Sequence, residues 1–442
     1  MHSNVSDTIG TNPVRKNISV KTKEHNLFLL FFQVFIVFFY IYEFNLRAWG
    51  LSSDITSRRI VVLVMLIIAI IKTLLQNKKF TFDVYQSGYF KYMKFCVLLL
   101  IYVLSITLFI GSGDGDKVAI DLIQVILFSL IPIAFVPYLF DSVDRFLKVI
   151  LLTAIIQTII ILLCQFNNAF CNFIDINFST DYEYVSMHRA TYAGGIGCIT
   201  APGLLRYSTG ILACLYYLFK RQEVRYFLLF LLFSFVGTMV ARTGLIVMFI
   251  GLIFILLFCF KNGKTKLIIS LSFLTIFLVG LCLILSNTAA VQNFMGGNFK
   301  RLINLFNNGL QSEFLDGYFG DASGNILPPI NSKTFFGTGL VNGVSGNGVE
   351  CIADGGYIRL FFAFGLPGVV LFYGYTMRVL LKGTFQNKKN APIFWTLLCM
   401  ITIIIVGEFK EYLILNQYML FIAFSVILLI NKERSMNIDA RS

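Results

Sequence analysis

Charge is what this chain has least of. Charged residues fill 13% of its 442 positions, against about a quarter in a soluble domain. Hydrophobic residues fill 57%, and the mean hydropathy is +0.78. That balance excludes a water-soluble globular protein and implies a polytopic membrane protein. Histidine is rarer still, with three in the whole chain. With no CxxC and no His/Cys pair at ligand spacing, neither a metal nor any other cofactor is expected. The nine cysteines are scattered. Cys96, Cys164, Cys214, Cys259, Cys282 and Cys399 fall inside apolar runs, where a thiol behaves as a small hydrophobe. Cys171, Cys198 and Cys351 lie in connections, and their spacing supports no particular disulfide. No cleavable leader is expected, because the polar, basic N-terminal segment runs into a full-length span.

What the chain does have is span-length apolar segments, which need roughly 17–25 residues each. Twelve are read, at about 27–45, 60–76, 95–111, 118–140, 146–166, 207–219, 226–240, 243–260, 267–285, 357–381, 393–407 and 413–431. The run from Tyr226 to Phe260 holds two of them. As one helix it would measure about 50 Å, too long for a hydrocarbon core of roughly 30 Å. It is interrupted by "ARTG" and flanked by Lys220, Arg221 and Arg225 at one end and Lys261, Lys264 and Lys266 at the other. A hairpin with Arg242 near its turn puts both basic clusters on one side.

A net charge of +13 would suggest nucleic acid in a soluble protein. Here the positive-inside rule absorbs most of it, and no nucleic-acid partner is expected. The basic residues sort about two to one in favour of the side holding both termini, which are therefore expected to be cytoplasmic. Arg58 and Arg59 run against that orientation. The expected organisation is an all-α polytopic membrane protein of about 12 transmembrane helices. A cytoplasmic tail covers 1–26, spans one to nine cover 27–285 with an external loop at 167–206, and a large external loop covers 286–356. Three last spans cover 357–431, and a second cytoplasmic tail covers 432–442. Long extramembrane loops without strand patterning are usually functional.

The candidate functional residues cluster on the external side, where basic residues are scarce. In "MHRATYAGGIGCITAPGLLRYSTG", Arg189 and Arg206 suit anion recognition, because a planar guanidinium pairs two oxygens of a phosphate; the alternative is an interfacial arginine that snorkels. His188 can transfer a proton or bind phosphate, or be a plain loop residue. Arg242 is an ionisable group within an apolar hairpin, and such groups face a wet cavity or the protein interior; otherwise it marks a turn. In "ADGGYIRLFFAFGLPGVVLF", Asp354 is either a helix cap or a general base. Tyr357 can hold a sugar ring or belong to an aromatic belt, and Arg359 needs a partner or a ligand. "FGLPG" reads as a structural element, either a kink or a point of close packing. In "GEFKEY", Glu408 and Glu411 either pair with an arginine or sit in a solvated turn. "SGDGDK" carries an Asp-x-Asp that could hold a divalent ion, though plain turn chemistry explains it as well.

These patches together resemble the bacterial O-antigen polymerases, within the O-antigen polymerase/ligase superfamily. The resemblance rests on the twelve-span layout, "HRATYAGG" with "APGLLRYSTG", "ARTG" between two spans, and a long external loop. That loop holds "FFGTGL" and ends in "DGGYIRLFFAFGLPG". It covers most of the chain as layout and only short patches as residues. Ligases usually carry a His-Asn-like pair where this chain has Asp354-Gly355, a departure that favours the polymerase. The resemblance implies a GT-C-like, inverting glycosyltransferase of the bacterial inner (cytoplasmic) membrane. It would join undecaprenyl-diphosphate-linked oligosaccharide units at the periplasmic face and release undecaprenyl diphosphate. The lipid bilayer is one partner, and a chain-length regulator protein is a further candidate.

On that reading Arg189, Arg206, Arg242 and Arg359 are assigned to the diphosphate, and Asp354 then Glu408 to the base. Tyr357 and His188 are assigned to sugar binding. Diphosphate is already a good leaving group, so fixed positive charge where negative charge develops is the main requirement. The rival readings are an O-antigen ligase, a lipid-linked oligosaccharide flippase and a purely structural membrane protein. The absence of half-to-half repetition disfavours a flippase.

Overall fold

The computed structural model describes residues 13–45, 50, 55–76, 88–110, 113–178, 195–197, 200–241, 244–263, 328, 330–351, 355–409, 415 and 417–439. Twelve helices fall among them. They are α1 (Pro13–Ile41), α2 (Ser57–Gln76), α3 (Gly88–Ile110), α4 (Val118–Leu139), α5 (Val143–Phe166) and α6 (Asn168–Phe178). After these come α7 (Thr200–Arg221), α8 (Val224–Val240), α9 (Gly244–Lys261), α10 (Gly356–Gln386), α11 (Ala391–Gly407) and α12 (Gln417–Asp439). A short antiparallel ribbon, β1 (Gly343–Val344) with β2 (Glu350–Cys351), precedes α10. None of the described cysteines forms a disulfide.

The helices are apolar on their outward faces as well as inside. On α2, Val62, Met65 and Ala69 are buried, while Leu63, Ile67, Ile70 and Leu74 form an exposed stripe on the opposite face. A helix apolar all round belongs in lipid, and in water such stripes would make a patch few monomers expose. Among the described residues four helices, α3, α4, α5 and α10, are long and apolar enough to cross a membrane. The chain is an all-α, multi-pass membrane protein. Its core is built around α7, which packs on α5, α8 and α11. Small residues allow the approach: Gly210 faces Ala154, and Gly244 lies on Gly237.

The apolar run from Tyr226 divides as expected, with α8 ending at Val240 and α9 starting at Gly244. Arg242 and the expected ninth span at 267–285 lie outside the described residues, as does most of the large loop. The stretch 167–206, expected as a loop, is helical at both ends. Asn167 caps α6, its Oδ1 accepting the Phe170 N–H at 3.1 Å. α7 begins at Thr200 with Pro202 in its first turn, where proline's missing N–H costs nothing. Arg206 is therefore a helical residue rather than a loop residue.

Two prolines shape the helices. Pro132 cannot donate to the Phe128 carbonyl four residues back. The Tyr40 hydroxyl donates to that carbonyl instead, at 2.7 Å, and a π turn occupies Ile126–Leu130. Such turns collect at functional sites.

Pro367 breaks α10 in the same way. The Ala363 carbonyl it leaves unpaired accepts Gly339 N–H at 3.0 Å, and Leu366 N–H turns to Phe335 O at 2.9 Å. Phe362 O accepts both the N–H and the hydroxyl of Thr338, at 2.8 and 2.9 Å. The break passes through Gly365 at φ 69°, ψ −179°, a region open essentially to glycine alone. "FGLPG" is thus a kink, the first of its two expected readings, and its freed backbone groups are the dock for "FFGTGL". The "SGDGDK" turn clamps the same loop from the other side. Asp114 and Val344 exchange backbone bonds at 2.8 Å, and Asn342 Nδ2 donates to Asp116 Oδ2 at 2.8 Å.

Candidate anion-binding site

Glu43 follows the last turn of α1 and is only 7% exposed. Its Oε2 faces two guanidiniums. Arg58 Nη2, from the first turn of α2, lies 3.4 Å away, and Arg206 Nη2, from α7, lies 3.5 Å away. The Tyr418 hydroxyl, from the first turn of α12, donates to the same oxygen at 2.9 Å and accepts from Arg58 Nη1 at 3.1 Å. The Tyr418 ring lies under both arginines, 5.4 Å from the Arg58 guanidinium carbon and 5.0 Å from that of Arg206. On its other side Arg58 packs on the Phe128 ring of the π turn at 5.5 Å, and Arg59 shares that ring at 5.4 Å. Five elements, drawn from both halves of the chain, thus meet at one end of the bundle.

The electrostatics are unbalanced. Two guanidiniums share one carboxylate, and among the described residues no other acid pairs with either. The site therefore carries surplus positive charge in a water-poor place, where an anion is strongly favoured. The Nε atoms of Arg58 and Arg206 are buried, and among the described residues neither makes a hydrogen bond. Each guanidinium thus keeps a donor that no described residue satisfies.

Of the residues expected from sequence, Arg206 belongs to this site. Arg58, which ran against the orientation rule, and Glu43 and Tyr418 were not expected there. The one signal for Arg58 was its position on the wrong side of the membrane. Nothing in the sequence marked Glu43 or Tyr418.

Glu408 and Tyr357 come together in a second cluster at the same end. Glu408 is fully buried, so the solvated-turn reading fails for this residue of "GEFKEY". Its carboxylate accepts the Tyr373 hydroxyl at 2.8 Å, and its carbonyl accepts Gly356 N–H at 2.9 Å, fastening the start of α10 to the end of α11. Tyr357 donates to Ile405 O at 3.0 Å, and its ring lies 4.9 Å from those of Tyr373 and Phe409. Arg359 is half-buried in the first turns of α10. Arg189, His188, Arg242, Asp354 and Glu411 lie outside the described residues.

No protein-family model, curated protein or solved structure matches the chain.

Proposed function

We propose that this chain is an O-antigen polymerase of the bacterial inner membrane, a GT-C-like glycosyltransferase with both termini cytoplasmic. It joins undecaprenyl-diphosphate-linked oligosaccharide units at the periplasmic face. A hydroxyl of the incoming unit attacks the anomeric carbon of the donor chain, with inversion, and undecaprenyl diphosphate leaves. The observation that carries this reading is the positively unbalanced pair of the buried Arg58 and the largely buried Arg206. Such a pair stabilises the charge that develops on a departing diphosphate without needing a metal, because its donors are fixed before the reaction begins. The Tyr357, Tyr373 and Phe409 rings offer a surface on which a sugar can lie, and Arg189, His188, Arg242, Arg359 and Asp354 keep the roles the resemblance gives them.

The test is complementation of a deletion strain, read as the lipopolysaccharide ladder on a gel. Deletion leaves core plus one repeat unit if the chain is a polymerase, and bare core if it is a ligase. Arg206→Ala at normal expression is expected to abolish the ladder. An intact ladder removes Arg206 from the mechanism. Purified protein lengthens lipid-linked glycans if it is a polymerase, whereas a flippase only moves them across the bilayer.

A further inference from the structure

We propose that Arg58 and Arg206 form an anion seat whose resting occupant is the Glu43 carboxylate. A phosphate-bearing lipid headgroup enters by taking the place of Glu43 on both guanidiniums and on Tyr418. The proposal rests on the polymerase reading only for the identity of that headgroup.

Three observations support a carboxylate that is displaced rather than one that holds the site together. First, both arginines meet a single oxygen, Oε2, at 3.4 and 3.5 Å. A two-pronged arginine–carboxylate pair is shorter, about 2.7–2.9 Å on both prongs. Neither guanidinium is saturated by the described residues, among which both buried Nε atoms have no hydrogen-bond partner. A tetrahedral phosphate presents more oxygens than a carboxylate and can engage both forks.

Second, the arginines are held by groups other than this carboxylate. Arg206 Nη1 donates to the backbone carbonyls of Gly197 at 3.0 Å and of Glu43 at 3.2 Å. Arg58 is sandwiched between the Phe128 and Tyr418 rings and donates to the Tyr418 hydroxyl. When the Glu43 side chain leaves, both guanidiniums keep their anchors, and the seat is ready-made for another anion.

Third, the charge count favours exchange. Two guanidiniums on one carboxylate leave a surplus positive charge. A diphosphate, with more than one negative charge, neutralises what Glu43 leaves over.

The experiment is equilibrium binding to the full-length protein in phosphatidylcholine nanodiscs. The probes are inorganic diphosphate, geranylgeranyl diphosphate and, in separate discs, phosphatidylglycerol. A seat whose competent form is populated a tenth of the time binds about tenfold more weakly than the open seat. Glu43→Gln and Glu43→Asp, the latter too short to reach both arginines, are therefore expected to bind diphosphate about tenfold more tightly than wild type. Arg58→Gln is expected to bind about tenfold or more weakly. Weaker or unchanged diphosphate binding in the Glu43 variants overturns the proposal, because a carboxylate that merely positions the arginines gives that sign.

Glu43→Gln leaves two buried cations unpaired and can fail to fold. The double variant Arg58→Gln/Glu43→Gln removes both charges together, which buried pairs tolerate far better than loss of one partner. It is expected to bind diphosphate more tightly than Arg58→Gln alone, and the opposite order overturns the proposal. The probe arms separate the sources. Glu43 dependence for the two diphosphates identifies a prenyl diphosphate headgroup, and dependence for phosphatidylglycerol alone identifies a bulk phospholipid. Tighter binding in the Glu43 variants with no effect of Arg58 or Arg206 variants on the ladder leaves the seat standing and removes the polymerase reading. An abolished ladder with the wrong sign at Glu43 does the reverse.

Discussion

At the scale of single residues, Glu43 is the most consequential side chain in the molecule. It is the one described acid that answers two buried cations, so its removal and the removal of either cation are not equivalent. Arg58→Met leaves Arg206 and Glu43 as a balanced pair, whereas Glu43→Leu leaves two guanidiniums facing each other. Removing one partner of a buried pair costs about 3–5 kcal/mol, and Glu43→Leu is expected at or above that range with Arg58→Met below it. Thermal unfolding in detergent checks the order.

At the scale of elements, proline and glycine decide where helices open to accept neighbours. Pro132 frees the Phe128 carbonyl for Tyr40, and Pro367 frees the Ala363 carbonyl for Gly339. The kink and the 330–351 loop are therefore one unit, since each satisfies backbone groups the other would leave bare. Gly365→Ala tests this. A side chain at φ 69° is strained, by about 1–3 kcal/mol, and its Cβ would meet the Phe335 carbonyl and Gly337 nitrogen. The expected result is release of the loop, seen as faster tryptic cleavage after Lys333 with the helical core still folded. An unchanged cleavage rate would show that the loop does not depend on the kink. Both prolines and Gly365 are visible in the sequence, and "FGLPG" reads from composition alone as a kink or a point of close packing. Which loop fills the break is not visible, because the filling bonds are made by backbone atoms, which carry no sequence signature.

At the scale of the whole molecule, the two ends of the bundle differ in how they use charge. One end buries Arg58 and Arg206 around Glu43. The other uses lysines to cap carbonyls exposed where helices end: Lys72 on Tyr138 O at 2.6 Å, and Lys432 on Pro137 O at 2.7 Å. On the proposed orientation the lysine-capped end is the cytoplasmic one. A cysteine replacing Arg242, at the α8–α9 turn, is expected to react with a membrane-impermeant maleimide added outside the cell. One replacing Arg221, at the far end of α7, is expected to react only after permeabilisation. The reverse pattern would invert the chain in the membrane and move the arginine cluster to the cytoplasm.

The sequence by itself determined that this is a helical membrane protein. It also determined where α8 and α9 separate and where α10 can bend. Those features follow from local quantities: apolar run length against bilayer thickness, proline's missing donor and glycine's freedom at positive φ. Only the tertiary structure decided that Arg58, which broke the charge rule, belongs with Arg206, and that both meet Glu43 under Tyr418. Arg206 and Glu43 are 163 residues apart, and Arg58 and Tyr418 are 360 apart. No periodicity spans such distances. The pairing is made by packing, which brings four helix ends to one point and leaves their charges no water to turn to.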